Sequence, residues 1–370
     1  MSEKRKLGEI GLGRGDAPLA RGRSSRSNEA GRFERLQTEA FDDGWSGSED
    51  GEPSRVETTL TAEKAKTIIS RNESPDLGFD RSVNPYRGCE HGCIYCFARP
   101  SHAHLGLSPG LDFETKLFYK PEAAALLRAE LSKPGYLPAR VQLGANTDCY
   151  QPIEKKLRIT REIIEALSEF RHPLGITTKN HLVTRDIDLL APMAERGLSV
   201  VVVSITTLDS QLARAMEPRA STPARRLDGI RALSSAGIPV IVSVAPIIPG
   251  LTDHEIEAIL EKAAAAGARY AHYSMLRLSH ELKDLFKEWL EGERPDRAER
   301  VMSLVRQTRG GKENDTRFGL RMVGEGPVAD ILIDRFRLAR RKFALDRKIA
   351  LLRTDLFKVP PRPGDQLSFF

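Results

Sequence analysis

Between about residue 56 and residue 280, two patterns of apolar residues alternate along the chain. Short runs rich in β-branched residues, such as 198–203 and 240–244, are typical of strands that are buried on both faces. Segments with apolar residues three and four positions apart lie between these runs and predict amphipathic helices. The alternation predicts a parallel β/α architecture with six strands, at residues 82–86, 140–143, 174–177, 198–205, 239–245 and 270–276.

Capping residues support the expected helices. Pro223 follows Thr222 where a helix over 224–235 should begin, and Gly237 lies just beyond its end. Thr252 begins a second helix in the same way. In parallel β/α barrels the chemistry lies at the C-terminal ends of the strands, so the residues after each strand become the candidates for a functional site.

The composition changes at both ends of the chain. Residues 1–55 are rich in Gly, Ser, Arg and acidic residues and predict a disordered, basic leader ahead of a barrel core over 56–280. Residues 281–350 predict a C-terminal helical extension, in which a helix over 328–345 carries a basic face. A proline-rich run then predicts a flexible tail over 351–370.

The chain of 370 residues has a formal net charge of +6. This balance admits a polyanionic partner such as DNA, for which Arg21, Arg23 and Arg26 in the leader could form a basic arm. The sequence has no apolar run near the roughly 20 residues that a membrane helix needs, and its N-terminus has no signal-peptide core. We therefore expect a cytoplasmic protein without a membrane partner, in a compartment where thiols stay reduced.

Three of the four cysteines, Cys89, Cys93 and Cys96, follow the first predicted strand at the spacing C-x3-C-x2-C. Cysteines this close in one loop do not form unstrained disulfides, so the spacing indicates a metal site. Thiolates suit zinc, copper(I) or an iron–sulfur cluster, and three protein ligands leave one metal position open for a substrate or cofactor. A zinc knuckle with His91 as the fourth ligand is the alternative.

With Tyr95 as the aromatic residue, the pattern C-x3-C-x-aromatic-C resembles the signature of the radical S-adenosylmethionine (radical SAM) enzymes. The resemblance implies that the three cysteines hold a 4Fe-4S cluster whose open iron binds S-adenosylmethionine. It further implies reductive cleavage of that cofactor to a 5'-deoxyadenosyl radical that abstracts hydrogen from a substrate, with an electron donor such as flavodoxin or ferredoxin. The implied fold is a partial (β/α)6 barrel, which agrees with the six predicted strands.

The run after the second strand, T-D-x-Y-Q-P-x-E from Thr147 to Glu154, resembles the radical SAM branch related to spore photoproduct lyase. Asn146, Thr147 and Asp148 are then candidates for binding the amino group of the cofactor, with an Asx-type turn as the alternative. The same resemblance makes Cys149 a candidate hydrogen donor to the product radical, with a small buried thiol as the alternative.

Residues after the later strands complete the predicted cofactor site. Ser204 fits a contact with a ribose hydroxyl, and the guanidinium of Arg225 fits the methionine carboxylate, with a surface ion pair as its alternative. Lys179 could reach the same carboxylate or an acidic substrate, or be simply solvated. The loop at Ile248 and the strand end at Leu276 resemble the adenine-contacting positions of the radical SAM family.

The last residues of the chain resemble the peptide with which bacterial proteins bind the sliding clamp. Leu367 and Phe370 would insert as apolar anchors, and Gln366 would form a hydrogen bond. Packing of the tail on the chain's own barrel is the alternative.

These features predict a radical SAM enzyme, preferably one that repairs or modifies a nucleic-acid base in a lyase-like reaction. The lyase-like run, the basic charge and the clamp-like tail favour this substrate, because a clamp-bound enzyme reaches DNA without sequence readout. Two alternatives stay open: radical chemistry on a small metabolite or a peptide, and a zinc-stabilised nucleic-acid adaptor without catalysis.

Overall fold

The structure is a computed structural model that describes residues 23–33, 56–347 and 349–361. Within these residues, seven strands form the central sheet in the order β10-β9-β8-β7-β6-β3-β2, and three form a small sheet in the order β1-β5-β4. In chain order the strands are β1 (Thr59–Ala62), β2 (Ile69–Arg71), β3 (Arg81–Val83), β4 (Tyr86–Arg87), β5 (Lys116–Tyr119), β6 (Val141–Leu143), β7 (Leu174–Thr178), β8 (Ser199–Ser204), β9 (Val240–Ile247) and β10 (Tyr270–Met275).

Helices alternate with the strands of the central sheet, and several of them contribute buried side chains to its apolar core. In chain order they are α1 (Leu111–Thr115), α2 (Ala123–Leu131), α3 (Glu154–Leu157), α4 (Ile159–Glu169), α5 (Ile187–Glu195), α6 (Ser210–Met216), α7 (Pro223–Ser235), α8 (Ile256–Ala265), α9 (Leu282–Glu293), α10 (Ala298–Gln307) and α11 (Pro327–Lys342). Among the described residues, no helix combines the length and the apolar character that crossing a bilayer requires.

The six predicted strands correspond to β3 and to β6 through β10, which confirms the expected partial barrel. Neighbours among these six pair in parallel, and β2 adds an antiparallel strand at one edge. Alternate residues of a strand point to opposite faces. Val141 and Leu143 of β6 therefore pack into the apolar core with the helices, whereas Gln142 points to the interior and bonds to Thr177 at 3.0 Å.

Side chains connect the two edges of the central sheet. Asp76 lies between β2 and β3 at one edge, and Met322 accepts a backbone hydrogen bond from Met275 of β10 at the other. Arg321 links the two edges, since its guanidinium donates to the Asp76 carboxylate at 2.5 Å and to Ser74 at 2.6 Å. The sheet therefore curves around an interior space.

Residues 23–33, inside the predicted leader, are ordered against the folded body. The buried guanidinium of Arg23 donates to the carbonyl oxygen of Glu114 at 2.8 Å, and Arg26 pairs with Glu293 at 3.1 Å. The structure differs here from the predicted disordered leader, because hydrogen bonds rather than an apolar stripe hold the segment. Both arginines are engaged and are not free to form the predicted DNA-binding arm; Arg21 lies outside the described residues.

The beginning of the predicted tail is also attached to the body. The ring of Phe357 packs against the rings of Tyr136 and Phe170, with centroids 5.5 and 6.2 Å apart. Aromatic contacts therefore hold part of the segment 351–361 in place, where the sequence predicts a flexible tail. The clamp-like residues 366–370 lie outside the described part of the chain, so clamp binding stays a prediction.

The C-terminal helix α11 packs one face on the barrel. Leu332 is 3% exposed and Phe336 lies 4.7 Å from the ring of Tyr273, while Ile331 and Leu338 are each 60% exposed. The helix therefore shares its apolar residues between the core and the surface.

Replacement of Leu332 by Ala should lower the free energy of unfolding by about 2–5 kcal/mol, because it leaves a cavity in the core. Its neighbour provides the control: Ile331→Ala should change that energy by less than about 0.5 kcal/mol, since the side chain is exposed. Urea unfolding of the two full-length variants measures the difference. Equal destabilisation would contradict the packing of α11 on the barrel.

Candidate active site

The cysteine loop lies at the C-terminal edge of the barrel and is fixed by its backbone. Cys89 donates its N–H to the carbonyl of Phe113 at 3.0 Å, and Ile94 donates to the carbonyl of Met216 at 3.0 Å. Gly92 has a φ of +63°, and a Cβ at this position would lie 2.8 Å from the Glu114 carboxylate. The turn between the first two cysteines therefore needs glycine both for its conformation and for space.

The three thiols have the chemistry of a cluster site. Cys89 and Cys93 are buried, and Cys96 is partly buried; all three are free of disulfides. Burial raises the pKa of each thiol, whereas backbone N–H groups that point at sulfur, from Asp148 to Cys89 and from Ala98 to Cys96, favour the thiolate. Amide hydrogen bonds to sulfur are also a feature of protein-bound iron–sulfur clusters. The residues present thus fit a cluster.

A zinc knuckle does not fit the position of His91. Its Nδ1 lies 3.3 Å from the carboxylate of Asp148, and its Nε2 lies 3.1 Å from the side-chain nitrogen of Asn180. Both ring nitrogens are therefore engaged away from any metal. In the described ranges, no three side chains of His, Cys, Asp or Glu are grouped so that they could share one metal ion. Cluster cysteines bind different iron atoms, so they need not converge on one point.

The run from Thr147 to Glu154 holds the cysteine loop in place. The hydroxyl of Thr147 donates to the carbonyl of Tyr86 at 2.8 Å. Gln151 accepts from the N–H of Glu90 at 2.8 Å and donates to the carbonyl of Gly88 at 3.3 Å. The sequence predicts Thr147 as a cofactor ligand; the structure gives its hydroxyl a scaffolding contact.

Asp148 is the centre of this scaffold. Its carboxylate accepts from the Thr178 hydroxyl at 2.8 Å, from the Lys179 N–H at 2.7 Å and from the Tyr150 N–H at 2.8 Å, besides its contact with His91. Burial alone would raise the pKa of Asp148, but the His91 ring and the donated hydrogen bonds lower it to about 2. The predicted contact with the cofactor amino group therefore competes with four existing partners.

A buried network anchors the aromatic residue of the cysteine motif. The Tyr95 hydroxyl donates to Glu217 and lies 3.0 Å from the hydroxyl of Thr206. Glu217 forms a buried ion pair with Arg226, which also donates to the carbonyl of Ser204 at 3.1 Å. The structure brings Ser204 close to the cysteine loop through this network. The role of Arg226 was not predicted from the sequence, although its place in the first turn of α7, next to Arg225, is a signal that could have identified it.

Lys179 places a positive charge next to the aromatic residue of the cysteine motif. Its Nζ lies 5.7 Å from the centroid of the Tyr95 ring. Its charge lowers the pKa of Cys93 and Cys96, against the larger effect of burial. In the part of the chain that the structure describes, no carboxylate pairs with it. The side chain can therefore receive an anionic group beside the cysteines.

Among the remaining predicted residues, two are buried beside the cysteine loop and one is exposed. Ile248 and Leu276 are buried in one apolar cluster with Cys93 and Tyr95, and their contact with adenine stays a prediction. Arg225, by contrast, is exposed and lies 3.3 Å from His181.

The other two candidates from the second strand end differ in their surroundings. The Asn146 side chain is half-buried and has no hydrogen-bond partner within the described residues, while its N–H donates to Asn84 at 3.1 Å. Cys149 is fully buried in the core with Tyr86 and Tyr150. Burial strongly raises the pKa of the Cys149 thiol. Its surroundings match the alternative of a small buried thiol, and the role of hydrogen donor stays a prediction.

Residues 23–33 form a strap that contacts the backbone of the cysteine loop. Ser24 donates its hydroxyl to the carbonyl of Gly92, and its N–H to Glu114 at 3.2 Å. Glu114 forms an ion pair with Arg99 in which both side chains are 0% exposed. Arg99 in turn donates to the carbonyl of Cys93 at 2.8 Å. The strap and the ion pair therefore form hydrogen bonds with the backbone of the cysteine loop.

Comparison with known proteins agrees with this site. A sequence profile of the Radical SAM superfamily matches residues 83–263. An uncharacterised protein of Mycobacterium tuberculosis is 40% identical over 233 residues, which cover 62% of this chain and 68% of the relative. An uncharacterised protein of Methanocaldococcus jannaschii is 29% identical over 235 residues, 63% of this chain and 83% of the relative. The chain belongs to the radical SAM superfamily.

Two further proteins are similar to this chain. A phage protein named radical SAM Nalpha-GlyT isomerase, from Pseudomonas phage M6, is 26% identical over 188 residues, 50% of this chain and 37% of its own length. A spore photoproduct lyase mutant with bound AdoMet and dinucleoside spore photoproduct has a similar fold, with a TM-score of 0.55 and 19% identity over 77% of this chain and 79% of that one. The superfamily implies a 4Fe-4S cluster and AdoMet as cofactors.

Replacement of Glu114 by Gln should lower the free energy of unfolding by about 3–5 kcal/mol, because it leaves the Arg99 cation buried without a counter-charge. Glu293→Gln is the matched control: it also removes a carboxylate that binds the strap, but its pair with Arg26 is partly exposed and should contribute less than about 1 kcal/mol. Urea unfolding of the metal-free variants compares them. Similar values would show that the buried pair has no special role.

Proposed function

We propose that this protein is a radical SAM enzyme whose Cys89, Cys93 and Cys96 hold a 4Fe-4S cluster. The observation that carries the proposal is a loop with three free thiols at the C-terminal edge of a partial barrel, with backbone N–H groups directed at sulfur. When bound and reduced, the cluster and S-adenosylmethionine supply a one-electron cleavage that gives methionine and a 5'-deoxyadenosyl radical, which takes a hydrogen atom from the substrate.

The chain's own residues bind and orient the cofactor. Lys179 lies over the ring of Tyr95, between Cys93 and Cys96 in the motif, and has no carboxylate partner in the described residues, which supports it as the group that binds the methionine carboxylate. Ile248 and Leu276 provide an apolar wall next to Cys93, which supports contact with adenine. Ser204, held near the site by Arg226, is proposed for the ribose hydroxyl.

Two further predicted ligands, Asn146 and Arg225, keep their place in the proposal with different support. The free amide of Asn146 is proposed to meet the cofactor amino group, since Thr147 and Asp148 already have partners. Arg225 is exposed at the start of α7, so it would have to reach towards the carboxylate from outside. Lys179, whose Nζ lies 5.7 Å from the ring of Tyr95 in the cysteine motif, is preferred.

The proposed substrate is a nucleic-acid base, in a lyase-like repair or modification reaction. The net charge of +6 supports a polyanionic substrate. The protein with the similar fold, spore photoproduct lyase, binds a dinucleoside spore photoproduct in its own solved structure. A small metabolite or a peptide is the second candidate for the same chemistry. The proposed setting is the cytoplasm, with flavodoxin or ferredoxin as the class of electron donor.

Anaerobic reconstitution should give about four iron and four sulfide ions per chain, and addition of dithionite and S-adenosylmethionine should yield 5'-deoxyadenosine. Cys93→Ser should lose both the cluster and the product, because it removes one of three ligands. Cys149→Ala should keep the full iron content, since the fourth cysteine lies in the core. Iron and sulfide assays and chromatography of the nucleoside provide the measurements.

The outcomes separate the hypotheses. Stoichiometric zinc without sulfide, or an intact cluster without 5'-deoxyadenosine, would favour a non-catalytic adaptor. Incubation of the active enzyme with lesion-bearing DNA and with a panel of metabolites then identifies the substrate class by its product. Loss of turnover in Cys149→Ala with normal cofactor cleavage would support Cys149 as hydrogen donor.

We further propose that the tail binds the bacterial sliding clamp through Gln366, Leu367 and Phe370. The motif in the sequence supports this, together with the position of the preceding segment, which Phe357 holds on the surface of the barrel. Purified clamp should retain the full chain and not a chain that lacks its last five residues. Retention of both chains would contradict the proposal.

A further inference from the structure

An exposed aromatic ring and an arginine lie together at the rim of the proposed active site. Phe97 directly follows Cys96 and is 50% exposed. The guanidinium carbon of Arg277 lies 6.0 Å from the centroid of the Phe97 ring. Arg277 comes just after β10, next to Leu276, which bonds to Ile247 of β9 at 3.0 Å. The pair therefore lies at the same edge of the barrel as the cysteines.

The charge of Arg277 is only partly compensated. Within the described ranges no carboxylate forms an ion pair with it, and its side chain donates only to the sulfur of Met322, at 3.6 Å. Its Nε is buried without an acceptor. The nearby carboxylate of Asp76 is taken by Arg321. Burial, followed by repulsion from Arg321, lowers the pKa of Arg277. A half-buried cation in this state is costly, and an anionic ligand would offset that cost.

Arg140 is a second arginine of this kind in the barrel. It lies directly before β6, donates to Gln142 at 2.6 Å and has no carboxylate partner in the described part of the chain. Burial and the charge of Arg140 lower the pKa of His272 to about 4, so this ring is neutral near pH 7.

We propose that Phe97 and Arg277 form a subsite that holds one nucleotide unit of the substrate. Phe97 offers a flat apolar face on which a base can stack, and Arg277 offers a fork of N–H donors for a phosphate group. A ligand that carries both an aromatic ring and an anionic group can use both side chains, whereas a ligand with only one of these groups can use only one. The assignment rests on the proposed radical SAM function and names its substrate class. The unit is either a free nucleotide or part of a strand, and both share this chemistry.

Binding of a short fluorescein-labelled oligothymidylate to the reconstituted full-length protein, followed by fluorescence anisotropy at several salt concentrations, tests the subsite. Arg277→Gln should weaken binding roughly tenfold and reduce the salt slope by about 0.7, because one phosphate contact is lost. Phe97→Leu should weaken binding by at least about fivefold with the salt slope unchanged, because stacking is lost and charge is kept. Arg277→Lys should restore the salt slope.

Arg341→Gln is the matched control, since it makes the same charge change on the exposed face of α11 and should leave binding unchanged. Competition by thymidine 5'-monophosphate, compared with thymidine, separates the two sources of the unit. Stronger competition by the monophosphate identifies a free nucleotide as sufficient, whereas competition only by unlabelled strands identifies a nucleotide within nucleic acid. Thermal denaturation of each variant confirms that it is folded.

Several results would overturn the assignment. The first is absence of oligothymidylate binding by the unaltered protein. The second is equal oligothymidylate affinity of Arg277→Gln and the unaltered protein. The third is loss of S-adenosylmethionine binding in both subsite variants, which would assign the pair to the cofactor. Formation of 5'-deoxyadenosine is measured on the same preparations. The proposed function fails if this product is missing, whereas the subsite alone fails if the product forms and Arg277→Gln binds normally.

Discussion

The buried ion pair between Arg99 and Glu114 supports the rest of the site. A loop that must hold three thiols in fixed positions has little apolar surface of its own, so its backbone needs partners elsewhere. Arg99 binds carbonyl groups of the cysteine loop, and Glu114 binds the N–H groups of Ser24 and of its neighbour in the strap. Two charges in a dry interior are stable only with such complete hydrogen bonding. The geometry of the cysteines is thus set by polar contacts around them.

The main features of the fold follow from local sequence. Runs of β-branched residues and helix caps specify β8, β9 and α7 without help from distant residues, and these were predicted with the six strands of the barrel. The strands β1, β2, β4 and β5 were not predicted, because they are two to four residues long and depend on pairing with distant segments. The strap was missed for the same reason: its Arg and Ser residues resemble a disordered leader until Glu114 is placed beside them.

The site was predicted in part. The spacing of Cys89, Cys93 and Cys96 carries its own chemistry and led to the family. The polar residues after β6 were correctly selected as important, but sequence does not show which partner a hydroxyl or carboxylate chooses, and Asp148 binds the protein itself. Arg225 and Arg226 are consecutive residues of α7 and point in different directions, so Arg225 is exposed and Arg226 is buried. The sequence alone does not determine which of the two faces the core.

The strap also has a consequence for the order in which the protein is made. Ser27 bonds to Glu288 and Arg26 to Glu293, which follow them by 261 and 267 residues. These partners leave the ribosome only after the whole barrel, whereas Gly92 and Glu114, the partners of Ser24, are made early. The strap can therefore dock in two stages during synthesis. Ser24 can meet the cysteine loop first, and Arg26 and Ser27 are fixed only once α9 has been made.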